Sequence, residues 1–300
     1  MKNKMLVTGG AGFIGSHLVD KLIEQGHEVI VIDNESGAAS DKFYWNDKAT
    51  RVKKDIVDYE GTRPFYEGVD YVFHLAAKSR IQTTVENPVL CTETNLVGTT
   101  TVLKCSKEAG VKRVIYSSTS SAYGLKNIPP LREDMPEDCL NPYSISKTAG
   151  EKMCKFYTDC FGLETTTFRY FNVYGKREPL KGPYAPVVGI FMRQRKAGEP
   201  MTIVGDGEQR RDFTHVDDVV EANIRAAYAK GVVGEIINVG TGTNHSVNEL
   251  ADMVGGPRVT LPQRPGEARI TLADNSKLKN LLKLVPQVKV EEHIKLIMTG

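Results

Sequence analysis

Cysteine and histidine are scarce in this sequence, and neither forms a metal-binding or redox motif. The five cysteines, an odd number, contain no C-x-x-C pair, and the six histidines are scattered. This pattern predicts reduced thiols that fill space. It argues against a disulfide framework and against a metal site.

Long apolar runs and clustered basic residues are also missing. No apolar stretch approaches the roughly 18 residues that a membrane helix needs, and the N-terminal MKNKMLVTGG has no signal-peptide core. The formal net charge is only +2, and no basic run carries interleaved aromatic residues. We therefore expect a cytoplasmic protein with no membrane or nucleic-acid partner.

What is present is a regular alternation of apolar strands and helical patterns. The chain has 300 residues, enough for one large α/β unit or two smaller domains. The apolar strands centre near Met5, Val29, Val52, Val72, Val114 and Thr167. Such alternation predicts an α/β fold with a parallel sheet covered on both faces.

A glycine-rich turn follows the first strand. Residues 8–15 read TGGAGFIG and lead into a helical pattern, an order typical of a doubly wound Rossmann sheet that binds a dinucleotide. Gly9 would allow the tight turn, Gly12 the approach of a pyrophosphate, and Gly15 close helix packing. Glycine triplets also occur in turns for steric reasons alone, so a second signal is needed.

Asp33 supplies that second signal. It ends the second apolar strand, 18 residues after Gly15, where an acidic side chain accepts hydrogen bonds from the adenosine ribose. Its charge would repel a 2′-phosphate, and no Arg or Lys lies between Asn34 and Ser40. We therefore expect NAD, and not NADP, as the cofactor.

A second group of polar residues lies in the middle of the chain. The strand ending in Ser117, Ser118 and Thr119 is followed by Pro142, a helix start, and by Tyr143 and Lys147 at i and i+4. An ammonium beside a phenol, with a nicotinamide cation nearby, would lower the tyrosine pKa. Thr119 is placed to bind the same substrate oxygen.

The alternation ends after Tyr174, where glycine and proline cluster over residues 175–186. We therefore predict an NAD-binding domain over residues 1–172 and a smaller α/β substrate domain over residues 173–300. Residues 213–231 would return to pack on the first domain.

These motifs together resemble the nucleotide-sugar epimerase/dehydratase family of extended short-chain dehydrogenases/reductases. The resemblance covers nearly the whole chain and includes HLAAK at 74–78, RYFNVYG at 169–175, RRDFTHVDD at 210–218 and RPGE at 264–267. It implies that Tyr143 is the base, that Lys147 holds the nicotinamide ribose, and that Thr119 orients the sugar. The implied cofactor contacts are Gly9, Gly12, Phe13, Ile14, Gly15, Asp33, Asn34, Asp55, Ile56, Leu75, Ala76, Ala77, Lys78, Asn95, Ser117, Tyr143, Lys147 and Tyr170.

The residues after Thr119 narrow the expected activity. Family members that eliminate water or decarboxylate carry acidic residues there, whereas this chain has Ser120 and Ser121. The resemblance therefore implies a UDP-hexose 4-epimerase, which oxidises C4 to a ketone and returns the hydride to the other face. The alternatives are a UDP-glucuronate 4-epimerase or another nucleotide-sugar epimerase, a nucleotide-sugar reductase, and an NAD-binding regulator without catalysis.

The same resemblance implies the substrate contacts. Arg211 and Arg264 match the diphosphate contacts, whereas Arg210 is expected to be an ordinary solvated arginine. Thr271 matches a gatekeeper position, and its small size predicts that UDP-GlcNAc/UDP-GalNAc fit as well as UDP-Glc/UDP-Gal. Arg80 would favour a uronic acid if it points inward. The implied substrate residues are Thr119, Asn172, Val187, Thr202, Val204, Arg211, Arg264, Glu267 and Thr271.

The resemblance further implies a homodimer through a four-helix bundle. One helix would span residues 95–109 and the other would carry Tyr143. The apolar candidates for the interface are Leu96, Val97, Val102, Leu103, Met153, Phe156 and Tyr157, unless these residues only cover the sheet.

Overall fold

The computed structural model describes residues 2–37, 42–180, 186–263 and 268–299. Its strands are β1 (Lys4–Thr8), β2 (Glu28–Ile32), β3 (Thr50–Val52), β4 (Tyr71–His74), β5 (Arg113–Thr119), β6 (Glu164–Tyr170), β7 (Val173–Tyr174), β8 (Met201–Val204), β9 (Arg210–Arg211), β10 (Thr214–His215), β11 (Ile236–Val239), β12 (His245–Ser246) and β13 (Arg258–Leu261). Its α-helices are α1 (Phe13–Glu24), α2 (Tyr59–Thr62), α3 (Ile81–Glu86), α4 (Pro88–Thr92), α5 (Gly98–Glu108), α6 (Pro142–Phe161), α7 (Val187–Lys196), α8 (Val216–Tyr228), α9 (Val247–Val254), α10 (Ser276–Leu282) and α11 (Val290–Thr299).

Seven parallel strands form the central sheet, in the order β11-β6-β5-β4-β1-β2-β3. This confirms the predicted α/β fold and all six predicted strands. The sequence reading missed β11, which pairs with β6 along Ile236–Val239. Strand order reverses between β1 and β4, and ligands of open α/β sheets bind at the carboxyl ends of the strands on either side of such a point.

The sheet is buried on both faces. Helices α1, α8 and α10 cover one face through residues such as Leu18, Val219 and Leu278, and α5 and α6 cover the other through residues such as Val102 and Cys154. Strands covered on both sides read as continuous apolar runs. That is why residues 28–32, EVIVI, could be recognised as a strand from the sequence.

Helix α6 has sequence-encoded caps at both ends. Asn141 and Ser144 form a reciprocal capping box, Pro142 occupies the first turn, and Gly162 ends the helix with φ of +66°. A proline costs nothing at the first helical position, where its missing N–H has no intrahelical partner. The predicted helix start at Pro142 is confirmed, and it fixes Tyr143 one residue into the helix.

The remaining elements pack around a separate apolar cluster. It includes Tyr174, Phe191, Ile203 and Leu250 from β7, α7, β8 and α9. Within residues 213–231, however, α8 packs on α1 and β5 of the central sheet. The domain boundary near residue 173 stays a prediction.

Within the described ranges no helix is long and apolar enough to cross a membrane.

Candidate active site

The glycine turn lies at the carboxyl end of β1. Gly9 has φ of +69°, and a Cβ there would lie 2.7 Å from the backbone nitrogen of Ala76. A Cβ on Gly15 would overlap the Gly9 carbonyl oxygen, so both positions need glycine for close backbone packing. Gly12 differs, because the nearest atom to a Cβ there, the Gly9 carbonyl oxygen, is 3.4 Å away. Its open side faces a cavity in which an anion would meet the N-terminus of α1.

Asp33 follows β2 at the same edge of the sheet. Its carboxylate accepts hydrogen bonds from Ala11 N at 3.1 Å and Glu35 N at 2.8 Å. Burial raises the pKa of this carboxyl, and those two N–H donors partly oppose the rise. Nearby, Asn34 Nδ2 donates to Asp55 Oδ2 at 2.5 Å. Two predicted cofactor segments, after β2 and after β3, are thereby joined.

A cavity of about 280 Å³ runs between these segments. The predicted cofactor residues in its wall are Gly9, Gly12, Phe13, Ile14, Gly15, Asp33, Asn34, Asp55, Ile56, Leu75, Ala76, Ala77, Ser117, Tyr143, Lys147 and Tyr170. The sequence reading missed other wall residues, among them Ser36, Gly37, Phe43, Lys54, Thr94 and Ser118. Ser118 lies between two predicted residues and could have been included, whereas Phe43 belongs to no motif.

Lys78 and Asn95 are the two predicted cofactor residues outside this wall. Asn95 is fully buried, and its side-chain amide bonds the backbone N–H and C=O of Lys78 at 2.7 and 3.0 Å. It lies in a π-helical turn, Glu93–Val97, between α4 and α5. The Lys78 ammonium donates to the carbonyl and hydroxyl oxygens of Ser36 at 3.0 and 2.8 Å. Asn95 thus joins the turn before α5 to the segment after β4, and Lys78 joins that segment to the segment after β2.

The central polar group assembles at the end of β5 and on α6. Tyr143 and Lys147 lie on one face of α6 and line the cavity. Thr119 is buried at the end of β5, where its hydroxyl accepts from Ser121 N at 3.1 Å. The Lys147 ammonium lies 4.2 Å from the centre of the Tyr116 ring, a cation–π contact.

The pKa of Tyr143 differs from the expectation. Burial raises the pKa of the Tyr143 phenol, the Thr119 hydroxyl lowers it, and the Cys91 thiol raises it. The expected lowering by Lys147 is therefore not met by the chain's own groups. Burial lowers the pKa of Lys147 to about 8, with Cys154 first and then Glu151 opposing this.

A second cavity of about 830 Å³ adjoins the first and shares Phe13, Ile14, Ser79, Arg80 and Pro186 with it. The predicted substrate residues in its wall are Asn172, Val187, Thr202, Val204, Arg211 and Thr271. Ser120 and Ser121 also line it, and its described wall contains no Asp or Glu. Predicted residues Arg264 and Glu267 lie outside the described residues.

The two neighbouring arginines, Arg210 and Arg211, make different contacts. Arg210 makes a bidentate ion pair with Glu249, at 2.7 and 3.0 Å, and also bonds Asn244. Arg211 lies in the wall of the second cavity, with one nitrogen donating to the Arg210 carbonyl at 2.9 Å. Arg210 is therefore held by an ion pair and is not the ordinary solvated arginine that was expected.

A buried carboxylate, Asp212, organises the same wall. Its oxygens accept from the backbone N–H groups of Thr241 and Ala273 at 2.8 and 3.1 Å. Its carbonyl accepts from Asn172 Nδ2 at 2.8 Å, and Thr271 lies beside both residues. Burial raises the pKa of Asp212. The Thr241 hydroxyl and the backbone N–H groups of Thr241, Ala273 and Gly242 oppose this rise. The sequence reading did not identify this residue, although it follows Arg211 directly.

No group of three or more His, Cys, Asp or Glu residues within the described ranges is arranged to hold a metal ion. All five cysteines are free. Cys91, Cys105 and Cys154 are buried, whereas Cys160 is exposed and fills no internal space.

The fold and both cavities define a dinucleotide-binding α/β protein with a Tyr-x-x-x-Lys pair in the wall of the first cavity. Residues 5–240 match the NAD dependent epimerase/dehydratase family, and the chain belongs to that family, whose cofactor is NAD.

Similar proteins match along the whole chain. A putative UDP-glucose 4-epimerase of Methanocaldococcus jannaschii is 38% identical over 98% of this chain and 97% of its own length. The structure of a Thermotoga maritima UDP-glucose 4-epimerase with UDP-glucose is 39% identical, with a TM-score of 0.93 over 99% of this chain and 97% of that one. A UDP-N-acetylglucosamine 4-epimerase of Methanobrevibacter ruminantium, in complex with UDP-N-acetylmuramic acid, is 33% identical, with a TM-score of 0.93 over 100% and 98%.

Proposed function

We propose that this chain is an NAD-dependent 4-epimerase of UDP-hexoses that interconverts UDP-Glc and UDP-Gal, and UDP-GlcNAc and UDP-GalNAc. One observation carries the choice of reaction within the family. The wall of the second cavity, which we assign to the substrate, includes Ser120 and Ser121, and its described part has no carboxyl group. Elimination needs an acid and a base beside C5 and C6, whereas epimerisation needs only one group that exchanges a proton at O4.

The chain's residues divide the work as follows. Tyr143 takes the proton of the 4-hydroxyl and later returns it, while Thr119 orients the sugar. The Thr119 hydroxyl also lowers the pKa of Tyr143. The Lys147 ammonium, on the same helix face, stabilises the phenolate once Tyr143 is deprotonated. Bound NAD supplies a hydride acceptor that becomes the donor in the second half of the reaction. Net oxidation is zero, so no external reductant is needed.

Arg211 and Asn172 would hold the diphosphate, with Arg264 and Glu267 assigned to the same ligand from the sequence. A guanidinium suits phosphate because it donates two parallel hydrogen bonds. Val187, Thr202 and Val204 would cover the uracil ring. The small Thr271 leaves space for an N-acetyl group.

The test is conversion without added cofactor. Purified protein is incubated separately with UDP-Glc and UDP-GlcNAc, and the anomeric and H4 proton signals are followed by NMR. We expect the C4 epimer of each, and we expect Tyr143→Phe to lose at least about a hundredfold in rate, within the range for general acid–base catalysis. Tyr59→Phe is the matched control, because its hydroxyl bonds Glu108 away from both cavities.

Other results would redirect the assignment. A stoichiometric rise in reduced-nicotinamide absorbance, with no epimer, would identify a dehydrogenase. Unchanged biological activity in Tyr143→Phe with intact NAD binding would favour a non-catalytic NAD sensor.

UDP-glucuronate is a second candidate substrate, because Arg80 lies in the wall shared by the two cavities. If Arg80 binds the uronic carboxylate, Arg80→Met loses conversion of UDP-glucuronate and keeps that of UDP-Glc. Equal losses for both sugars would exclude this role.

We also propose a homodimer in which α5 and α6, which pack against each other, meet the same helices of a second copy. Val97 and Phe156 are exposed there, with Val89 and Ile145 nearby on α4 and α6. Val102, Leu103 and Tyr157, which were predicted for this surface, are buried in the core beneath the sheet, so those three predictions were wrong.

Sedimentation equilibrium tests the dimer. Phe156→Glu should give monomers, whereas Ile128→Glu, at a separate exposed apolar position, should not. A monomeric wild-type chain would refute the dimer. The cytoplasmic location stays a prediction.

A further inference from the structure

A buried ion pair lies one helical turn beyond Lys147 on α6. Glu151 follows Lys147 at i+4, and its carboxylate accepts from Arg169 Nε at 3.0 Å and Arg169 Nη2 at 2.7 Å. The two side chains are only 2% and 3% exposed. Removing two charges from water is costly, so a buried pair of this kind is weak grounds for a purely stabilising role.

The pair joins three parts of the site. Arg169 on β6 is in register with Ser118 on β5, and the Ser118 hydroxyl donates to Glu151. The Arg169 guanidinium also lies 4.8 Å from the centre of the Tyr123 ring, which lines the second cavity. Glu151 therefore connects α6 to β5, the strand that ends in Thr119, and, through Arg169 and Tyr123, to the wall of the second cavity.

Glu151 is also the anion nearest in sequence to Lys147 on α6. The titratable groups that face Lys147 are Tyr143, Glu151 and Cys154 on α6, His74 on β4, Tyr116 on β5 and Cys91 on α4. Phenols and thiols are neutral near pH 7, and burial lowers the pKa of His74, so that its imidazole is neutral too. Within this set, the Glu151 carboxylate supplies the negative charge.

We propose that Glu151 is a positioning residue that keeps the Lys147 side chain an ammonium and that Arg169 holds the carboxylate in place for this purpose. The role in catalysis rests on the proposed assignment of Tyr143 and Lys147 as the reacting pair. Arg169 is needed because an unpaired buried carboxylate would itself take up a proton.

The direct test is a titration of Lys147 in the intact protein. Protein labelled with ¹³C at the lysine ε-carbons is titrated by NMR, and the Lys147 signal is assigned by its absence in Lys147→Met. We expect Glu151→Gln to lower the Lys147 pKa by about one pH unit, the smaller end of the effect of one nearby opposite charge.

A matched control is available between the same two strands. Arg113 and Glu164 also form an ion pair between β5 and β6, at 2.6 Å, but at the other end of the strands. Glu164→Gln removes an Arg–Glu pair of the same kind and should leave the Lys147 pKa unchanged.

Glu151→Gln leaves a buried guanidinium without its carboxylate, so the double variant Glu151→Gln/Arg169→Met is made in parallel. Replacing a whole buried ion pair by neutral or apolar side chains is often tolerated. The Lys147 pKa should fall in this variant too. An unchanged Lys147 pKa in whichever variant folds would overturn the proposal.

The pH profile of epimerisation gives the second readout. Rate should fall at high pH as Lys147 loses its proton, and this fall should begin about one pH unit lower in Glu151→Gln, a tenfold loss of ammonium above that pH. If the wild type does not epimerise but the NMR shift occurs, the proposed function fails while the effect of Glu151 on Lys147 stands. If the wild type epimerises and neither readout moves, Glu151 has no positioning role.

Discussion

Two alanine substitutions in the glycine turn should separate folding from cofactor binding. At Gly15 an added methyl overlaps the Gly9 carbonyl oxygen, which is backbone and cannot rotate away. Overpacking of this kind costs about 1–3 kcal/mol, and the upper end is expected here because the turn itself must move. Gly15→Ala should therefore unfold at lower urea concentration and also lose NAD.

Gly12→Ala should behave differently. Gly12 has φ of −81° and is the N-cap of α1, a conformation that alanine adopts, and the nearest atom to the new Cβ is 3.4 Å away. The weaker N-cap and the lower entropy of the unfolded chain oppose each other, so stability should change by less than about 0.5 kcal/mol. The methyl would instead occupy the space over which a pyrophosphate lies. NAD affinity should fall at least about tenfold, or about 1.4 kcal/mol.

The assay combines urea unfolding with measurement of the NAD released when each purified variant is denatured. A Gly12→Ala protein that keeps wild-type stability and wild-type NAD content would refute the placement of the pyrophosphate over Gly12. A Gly15→Ala protein of wild-type stability would show that the turn relaxes without cost.

Three further predictions concern the substrate cavity and one buried acid. Arg211→Met should raise the KM for UDP-Glc at least about tenfold by removing a charged phosphate contact, whereas Arg210→Met, which breaks the pair with Glu249, should leave KM unchanged; equal effects would contradict the assignment. Thr271→Tyr should abolish conversion of UDP-GlcNAc and spare UDP-Glc in the NMR assay, and retained UDP-GlcNAc activity would exclude a gatekeeper role. Burial raises the pKa of Glu178 to about 8, so the folded state holds a proton that the unfolded chain releases, and stability should fall as pH rises from about 5 to 8. Glu178→Gln should flatten this part of the urea-unfolding profile, and an unchanged slope would mean that the group titrates normally.

Local signals in the sequence account for the parts of the fold that were predicted. The apolar run of β2, the glycine turn and the capped start of α6 each depend on neighbouring residues, and each lies where it was predicted. Strand β11 was missed because four residues, IINV, are too few to distinguish a strand from a helical segment. Its place beside β6 is set by contacts with residues about 70 positions earlier.

Contacts between distant elements account for most of the site features that sequence could not provide. The sequence has no basic residue between Asn34 and Ser40, yet the structure brings the Lys78 ammonium to Ser36. Spacing also cannot show that Asn95 turns inward, or that Glu151 pairs with Arg169 on another element. The Tyr143 pKa depends on burial as well as on charge, and burial is a property of the packed fold.

The late position of β11 in the chain has a consequence for folding during synthesis. During synthesis, the six strands up to Tyr170 leave the ribosome well before Ile236–Val239, and until then β6 is an open sheet edge. Open edges can pair with other chains, and contacts of such long sequence separation slow folding. We expect the nascent chain to depend on chaperones over this interval, and a fragment that stops before β11 to aggregate although it contains the glycine turn, Tyr143 and Lys147.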